Sequence, residues 1–261
     1  MRYCIAIALI VFGLSAVPAQ SQPAASQDDK AAAAVARAVQ FVGGDRYQQV
    51  TSQVGKGSFS SLTKGGVANY QAFSDAIVFP DKERTDFKGS SKSTQVNVGA
   101  AGWIWDADQG VIKDQVPAQV DNFRRGLRTS LDNLLRGYWK GSAKLSYGGR
   151  RQGVVGKRND IVKLTYDDGF VVEFEIADDG TPVKSSYTHT NVGDEVVKDE
   201  DRYAQFVDVN GVKLPFIIDH YMNGEAVSRI NYESIEVNKR IPDSIFAKPA
   251  NPKDAKKSVS Y

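Results

Sequence analysis

From about Gln53 onward, apolar residues recur at every second position, and short turn sequences punctuate the runs. The stretch Phe170-Val-Val-Glu-Phe-Glu-Ile176 carries the pattern most clearly. Phe170, Val172, Phe174 and Ile176 fall on one side of an extended chain, with Glu173 and Glu175 on the other, toward solvent or a polar rim. Side chains alternate between the two faces of a strand, so a period of two predicts a half-buried strand. Residues 94–98 and 161–166 alternate in the same way, and Leu214, Phe216, Ile218, His220 and Met222 form a similar face. The separators are Asp167-Asp168-Gly169, Asp178-Asp179-Gly180, Val209-Asn210-Gly211 and Asn223-Gly224. All of these are turn sequences. Strands joined by hairpins predict an antiparallel meander rather than a parallel sheet with crossover helices.

Two segments depart from this period. Residues 28–44 read DDKAAAAVARAVQFVGG, a helix capped by Asp28 or Asp29, propagated by alanine and stopped by Gly43-Gly44. Its apolar stripe is Val35, Ala38, Val39 and Val42. Residues 117–138 predict one amphipathic helix, opened by Pro117 and closed by Gly137. Val120, Phe123, Leu127, Leu131, Leu134 and Leu135 line one side, and Asp121, Arg124, Arg125, Arg128 and Asp132 the other. A sheet with one apolar face needs a cover, and these helices supply it, docking the second through Phe123, Leu127 and Leu131. The fold class predicted is mainly β: a curved antiparallel half-open barrel with helices over its concave face. A sheet that curls without closing leaves a cavity beneath such a cover. Phe170, Phe174, Phe216, Ile218 and Leu127 are its first candidate walls, with Phe123 and Leu131 of the cover and Met222 at the end of the same face.

The chain ends are read separately. Arg2, the apolar run of residues 4–17 and Val17-Pro18-Ala19 predict a cleavable signal peptide over 1–19, hence export to the periplasm. That run is too short for a membrane span, which needs about 20 apolar residues. Residues 20–28 read as a flexible leader, 29–248 as one domain and 249–261 as a disordered tail. The one cysteine, Cys4, lies in the signal, so the mature chain would hold no disulfide and no thiolate. Net charge is +2, and +1 once Arg2 is removed, which gives no argument for a nucleic-acid partner.

Catalytic constellations are sought and not found. His189, His220 and Asp219 could assemble a small metal site, but Asp219 and His220 are neighbours in a strand and point to opposite faces. No metal site and no cofactor is expected. Residues 148–158, GGRRQGVVGKR, lack the spacing of a phosphate loop and read as a basic hairpin, in which Arg150, Arg151, Lys157 and Arg158 could meet lipid headgroups. No Gly-x-Ser-x-Gly elbow exists. An enzyme is not expected. Trp103 and Trp105 share a strand face, which suits core packing first and a cavity wall second.

Several stretches in order resemble a known family. They are the Gly-Gly-terminated helix, Val78-Phe-Pro-Asp-Lys-Glu-Arg84, Gly102-Trp-Ile-Trp105, Asn133-Leu-Leu-Arg-Gly137, Val209-Asn-Gly-Val-Lys-Leu-Pro215, and residues 237–249. Together they are similar to the periplasmic outer-membrane lipoprotein-sorting proteins, the LolA-like half-barrels. The resemblance implies an open curved sheet whose concavity receives lipoprotein acyl chains without any reaction. It also implies two departures. A carrier of this family places an arginine before the proline matching Pro80, where this chain has Phe79, and a cavity phenylalanine where it has Glu83. The function expected is a non-catalytic periplasmic carrier or chaperone for a lipid or lipoprotein acyl chain. The alternative is an envelope sensor docking onto a membrane-bound envelope protein, and a monomer is favoured in either case. N-terminal sequencing of the exported protein should begin near Gln20; an intact Met1 on a membrane-extracted chain would contradict the signal reading.

Overall fold

The structure, a computed structural model, describes residues 26–89, 92–153, 156–191 and 193–255. The expected signal peptide, with Cys4, lies outside them. Two helices come first, α1 (Gln27–Val42) and α2 (Asp45–Gln48). Six strands follow: β1 (Ser52–Thr63), β2 (Gly66–Val78), β3 (Lys82–Lys88), β4 (Ser93–Val98), β5 (Ala101–Asp106) and β6 (Val111–Asp114). Helices α3 (Pro117–Thr129) and α4 (Leu131–Arg136) interrupt the strands. Then come β7 (Ala143–Gln152), β8 (Arg158–Tyr166), β9 (Val171–Ile176), β10 (Pro182–Thr190), β11 (Val196–Val209), β12 (Val212–Met222) and β13 (Glu225–Val237).

All thirteen strands form one antiparallel sheet in the order β6-β5-β4-β3-β2-β1-β13-β12-β11-β10-β9-β8-β7. Every neighbouring pair but one is a sequential hairpin or meander step. The exception is β1 beside β13, which joins the two runs. The two strands at the sheet edges, β6 and β7, are therefore consecutive in sequence. The chain between them has to cross a face of the sheet, and that crossing is α3 and α4. Topology, as well as amphipathicity, makes this segment a cover. The sheet curls but does not close, so the mainly-β, half-open, helix-covered class read from the sequence is the class observed.

The hairpins use the turn chemistry expected. Asn210 and Gly211 have φ of 56° and 84°, and Asn223 and Gly224 have φ of 50° and 85°. Two successive positive φ values make the two-residue turn whose twist matches that of the flanking strands, and Asn-Gly tolerates them best.

Helix α1 begins earlier than Asp28. Its N-cap is Ser26, whose hydroxyl accepts from Asp29 N at 3.1 Å while Ser26 N donates to the Asp29 carboxylate at 3.2 Å. This is a reciprocal capping box, so Asp29 stands three residues inside the helix instead of capping it. The buried stripe is Ala31, Ala34, Ala38 and Val42, with Val35 and Val39 half-buried. Small residues on that stripe let the helix sit close to the sheet. They meet Val162, Leu164, Val172, Phe174, Ile176, Val212 and Leu214 in the main core. The β9–β10 turn presses on the same helix. A Cβ at Gly180, whose φ is 88°, would stand 2.5 Å from the Arg37 carbonyl oxygen.

The single helix expected over 117–138 is two helices. The chain is extended at Ser130 (φ −70°, ψ 153°), which closes α3 and caps α4 by accepting from Asn133 N at 3.1 Å. Serine competes for backbone hydrogen bonds at such a point and favours the cap over the helix interior. Gly137, with φ 75°, ends α4 as expected. The tail also differs from expectation, because Pro252–Ala255 forms a short helical turn.

Strand register assigns the faces. Ala76, Arg84, Val96 and Trp103 are successive cross-strand partners on the face away from the helices. There Trp103, Trp105, Val96 and Ala76 pack with Ile245 and Phe246 from the C-terminal segment as a second core. Trp103 Nε1 donates to the Phe246 carbonyl and Arg84 Nη1 to the Ile245 carbonyl, each at 2.9 Å. The other row, Ile77, Glu83, Asn97 and Gly102, faces the helices.

On β9, Val172, Phe174 and Ile176 are buried as expected. Glu175 is buried too, at 4% exposure, although it alternates with them onto the outer face. Arg151 and Lys184 lie over it, at 3.0 and 3.3 Å. Because Phe174 is wholly enclosed, Phe174→Ala should lower unfolding free energy by ~3–5 kcal/mol. Urea denaturation followed by circular dichroism measures it; a cost below ~1 kcal/mol would mean that this part of the sheet face is not a packed core.

Candidate binding groove

The main core is solid beneath most of α1, but beneath α3 and the inner side of α4 it opens. Of α3, only Thr129 is buried. Between α3 and the sheet lie two adjoining recesses, of about 470 and 370 Å³. Pockets of a few hundred Å³ are the ordinary size for small ligands. Ile77, Phe79, Glu83, Gly126, Ser130 and Asp132 border both, so the two meet along this line. The outer recess adds Phe123, Leu127, Tyr138 and Tyr166. The inner one adds Leu131, Leu135, Tyr203, Phe206, Leu214, Ile218, Ile230 and Tyr232. The walls are mostly apolar, with a few polar groups directed into the space.

Of the residues singled out from the sequence as cavity candidates, Phe123 and Leu127 line the outer recess, and Leu131 and Ile218 the inner. The others stand elsewhere. Trp103 and Trp105 are in the second core, because their register puts them on the opposite face. Phe174 belongs to the solid core. Phe216 packs against that core and lies 6.4 Å from the Tyr232 ring. Phe170 is covered by Arg128, whose guanidinium lies 4.5 Å from its ring and 3.9 Å from that of Tyr166. Met222 is 39% exposed at the end of β12. Arg128, expected on the wet side of its helix, is instead held over these rings by a bidentate pair with Asp168 at 2.7 and 2.9 Å.

Helix α4 is fixed far more firmly than α3. Arg136 donates to the carbonyls of Tyr47 and Val50, both at 2.8 Å, and to Asp132 at 2.7 Å. Its guanidinium is sandwiched between the Tyr47 and Phe79 rings, 4.2 Å from each. Phe79, where the resemblance places an arginine, therefore receives an arginine from the helix.

Glu83 borders both recesses, and Asp75 lies buried behind it on the neighbouring strand. Burial raises the Glu83 carboxyl to about 7, with help from the charge of Asp75. Among the described residues its one hydrogen bond is from the Thr85 hydroxyl, at 3.3 Å. Burial also raises Asp75, to about 6, although the Tyr232 hydroxyl donates to it at 2.6 Å. In the sequence Glu83 stands out only as a departure from the family pattern. The alternation Phe73-x-Asp75-x-Ile77-x-Phe79 held the signal that this strand faces the cover.

The histidines do meet, but over Asp199 and not Asp219. His189 Nδ1 lies 2.7 Å from Asp199 Oδ2, and His220 bridges Asp199 at 3.2 Å and Asp201 at 2.8 Å. Hydrogen bonds to Asp199 and Asp201 raise His220 to about 9. Asp219 points away and pairs with Arg229. Among the described residues no cluster of three or more such side chains could hold a metal ion. In the basic hairpin, Arg150 pairs with Asp160 and Asp178, and Arg151 with Glu173 and Glu175. Among the described residues no helix is long and apolar enough to cross a membrane.

The chain aligns with solved structures over most of its length. A DUF1329 family protein from Desulfovibrio piger superposes with a TM-score of 0.59 at 13% identity, covering 83% of this chain and 97% of that one. A LolA superfamily protein from Nitrosomonas europaea gives 0.56 at 13% identity, with the same coverage. The chain has the fold of the LolA-like proteins. A putative outer membrane lipoprotein-sorting protein domain from Vibrio parahaemolyticus gives 0.54 at 6% identity, again covering 83% and 97%. No family model and no curated protein sequence matches.

The Glu83 carboxyl sets a pH dependence. Its folded pKa, about 7, lies above the ordinary 4.5. Below the ordinary value both states are protonated and no penalty exists. Between the two values the unfolded chain loses its proton first, so the folded state loses stability as pH rises. Glu83→Gln should therefore leave stability nearly unchanged at about pH 4 and raise it by on the order of 2 kcal/mol at about pH 8. Denaturant curves at the two pH values measure the difference; parallel wild-type and variant profiles would contradict it.

Proposed function

We propose that the chain is a non-catalytic carrier that holds a lipid or a lipoprotein acyl chain between α3 and the sheet, in the periplasm. The observation that carries the reading is the contrast beneath the cover. Under most of α1 the sheet face is packed, whereas under α3 and the inner side of α4 the same face opens into two joined apolar recesses. Well-packed interiors leave few voids larger than a water molecule. Space on this scale, bordered by Phe123, Leu127, Leu131 and Ile218, suits a flexible apolar ligand. Support from likeness is of one kind: a protein described as a putative outer membrane lipoprotein-sorting domain shares the fold. The signal-like N-terminus fits the compartment in which such cargo is handled.

Leu127 stands on the α3 side of the outer recess. A carboxylate there would sit in the path of an acyl chain, unpaired in an apolar space, which is costly. The sheet's hydrogen-bond ladder does not depend on it. Leu127→Asp should therefore cut binding of the neutral fluorescent probe N-phenyl-1-naphthylamine by at least about tenfold and leave the β circular-dichroism signal intact. Unchanged binding would place the ligand outside the groove. Failure of the wild-type protein to bind the probe would turn the reading toward a module that docks onto another envelope protein.

A further inference from the structure

The groove is bordered by the acids Asp81, Glu83, Asp132 and Asp201, and among the described residues the nearby cations have other contacts. On β3 itself Lys82 pairs with Asp243 at 2.9 Å. On the cover, Arg128 pairs with Asp168 and Arg136 with Asp132. On β12, Lys213 lies over the Phe41 ring at 4.8 Å. The acids are differently placed. On β11, Asp201 is met by His220. On β2, Asp75 takes the Tyr232 hydroxyl of β13. The side chain across from Glu83 on β4 is the neutral Asn97. Glu83, bordering both recesses, has among the described residues only the Thr85 hydroxyl at 3.3 Å and no cationic partner.

A carboxyl in an apolar space with one long hydrogen bond has acceptor capacity to spare. It is costly to leave there as an anion unless something donates to it. The ledger of charges around it forbids a second anion more strongly than it forbids a neutral group, because Asp75 already acts on Glu83 through space.

We propose that Glu83 is a ligand-selecting residue: the groove takes a long-chain amphiphile whose head is a primary amine, seated on the Glu83 carboxylate, and rejects the matching long-chain carboxylate. The inference rests on the carrier reading above and adds the class of ligand. The apolar walls hold the chain, and the head donates to Glu83 at the junction of the two recesses. An ammonium beside the carboxylate favours its charged form, so the amine should bind more tightly as pH rises and Glu83 ionises. A carboxylate ligand should do the reverse.

The test uses the full mature protein with N-phenyl-1-naphthylamine bound and displaced by dodecylamine or dodecanoate. At about pH 8 dodecylamine should displace the probe at a concentration about tenfold lower than dodecanoate, a difference worth about 1.4 kcal/mol. In Glu83→Gln, a near-isosteric change, the preference should shrink to within about threefold. In the wild type, with no substitution, lowering the pH to about 6 should shrink it in the same direction. A further arm compares lysophosphatidylethanolamine with lysophosphatidylglycerol. Glu83-dependent preference for the first identifies the amine as a phospholipid's, and its absence beside a dodecylamine preference identifies a free long-chain amine. Equal or tighter binding of dodecanoate, or a preference that survives both Glu83→Gln and the lower pH, would overturn the proposal while leaving the carrier reading in place. A wild-type protein that binds no probe at all would overturn the carrier reading itself.

Discussion

Much of the cover depends on one buried cation. The Arg136 side chain is 3% exposed and joins three stretches of chain that are distant in sequence. Its nitrogens reach the carbonyls that end α2 and lead into β1, and Asp132 on its own helix. Its faces are closed by Tyr47 and by Phe79, which follows β2. Tyr47 returns to the same network by donating to Asp132 at 2.7 Å. Burial, the largest single influence, pushes the guanidinium toward losing its proton, but Asp132 together with the neighbouring tyrosines outweighs it and leaves the arginine more firmly charged than usual. Breaking such a pair from one side leaves a charge uncompensated in the interior, which costs more than the pair itself is worth. The network therefore fixes α4 to α2, to the start of β1 and to the end of β2. Its members Tyr47, Phe79 and Asp132 also border the inner recess, and among the described residues its hydrogen bonds stop short of α3.

The two faces of the sheet handle charge in opposite ways. On the outer face of β8 to β11, acids and bases alternate as a ladder: Glu173 meets Arg151 and Lys163, Glu175 meets Arg151 and Lys184, and Glu200 meets Lys184, Lys198 and Arg202. Desolvation opposes the Glu200 charge, yet its basic neighbours prevail and hold it down to about 2. On the helix-covered face, Glu83 has no such neighbours and rises to about 7. The same residue type is thus a structural anion on one face and a titrating group on the other. The difference lies in which side chains the register places next to it.

The strands and their turns are legible in the sequence because both signals are local. Alternation at Phe170 to Ile176 reports a buried face directly, and Asn223-Gly224 reports a positive-φ turn. The class of fold follows from these, together with the need to cover an apolar face. Legibility fails where a residue's role depends on register between distant strands. Trp103 and Trp105 alternate as correctly as Phe174 does, but alternation does not say which face is which. Here the C-terminal Ile245 and Phe246, more than a hundred residues later, claim the outer one. The break at Ser130 is a cap signal hidden inside a longer helical period. Glu83 is a groove residue only because β3, joined through β2 to β1 and β13, lies beneath the chain that crosses from β6 to β7. No window of sequence contains that arrangement.

The central claim is that the space beneath α3 is an occupied site and not an imperfection of packing. Native mass spectrometry of the protein purified without detergent from cells that export it tests this most directly. The account predicts a complex heavier than the mature chain by one amphiphile, which organic solvent strips off and which the Leu127→Asp protein lacks. A homogeneous unliganded mass for the wild type, unchanged after incubation with long-chain amphiphiles, would contradict it.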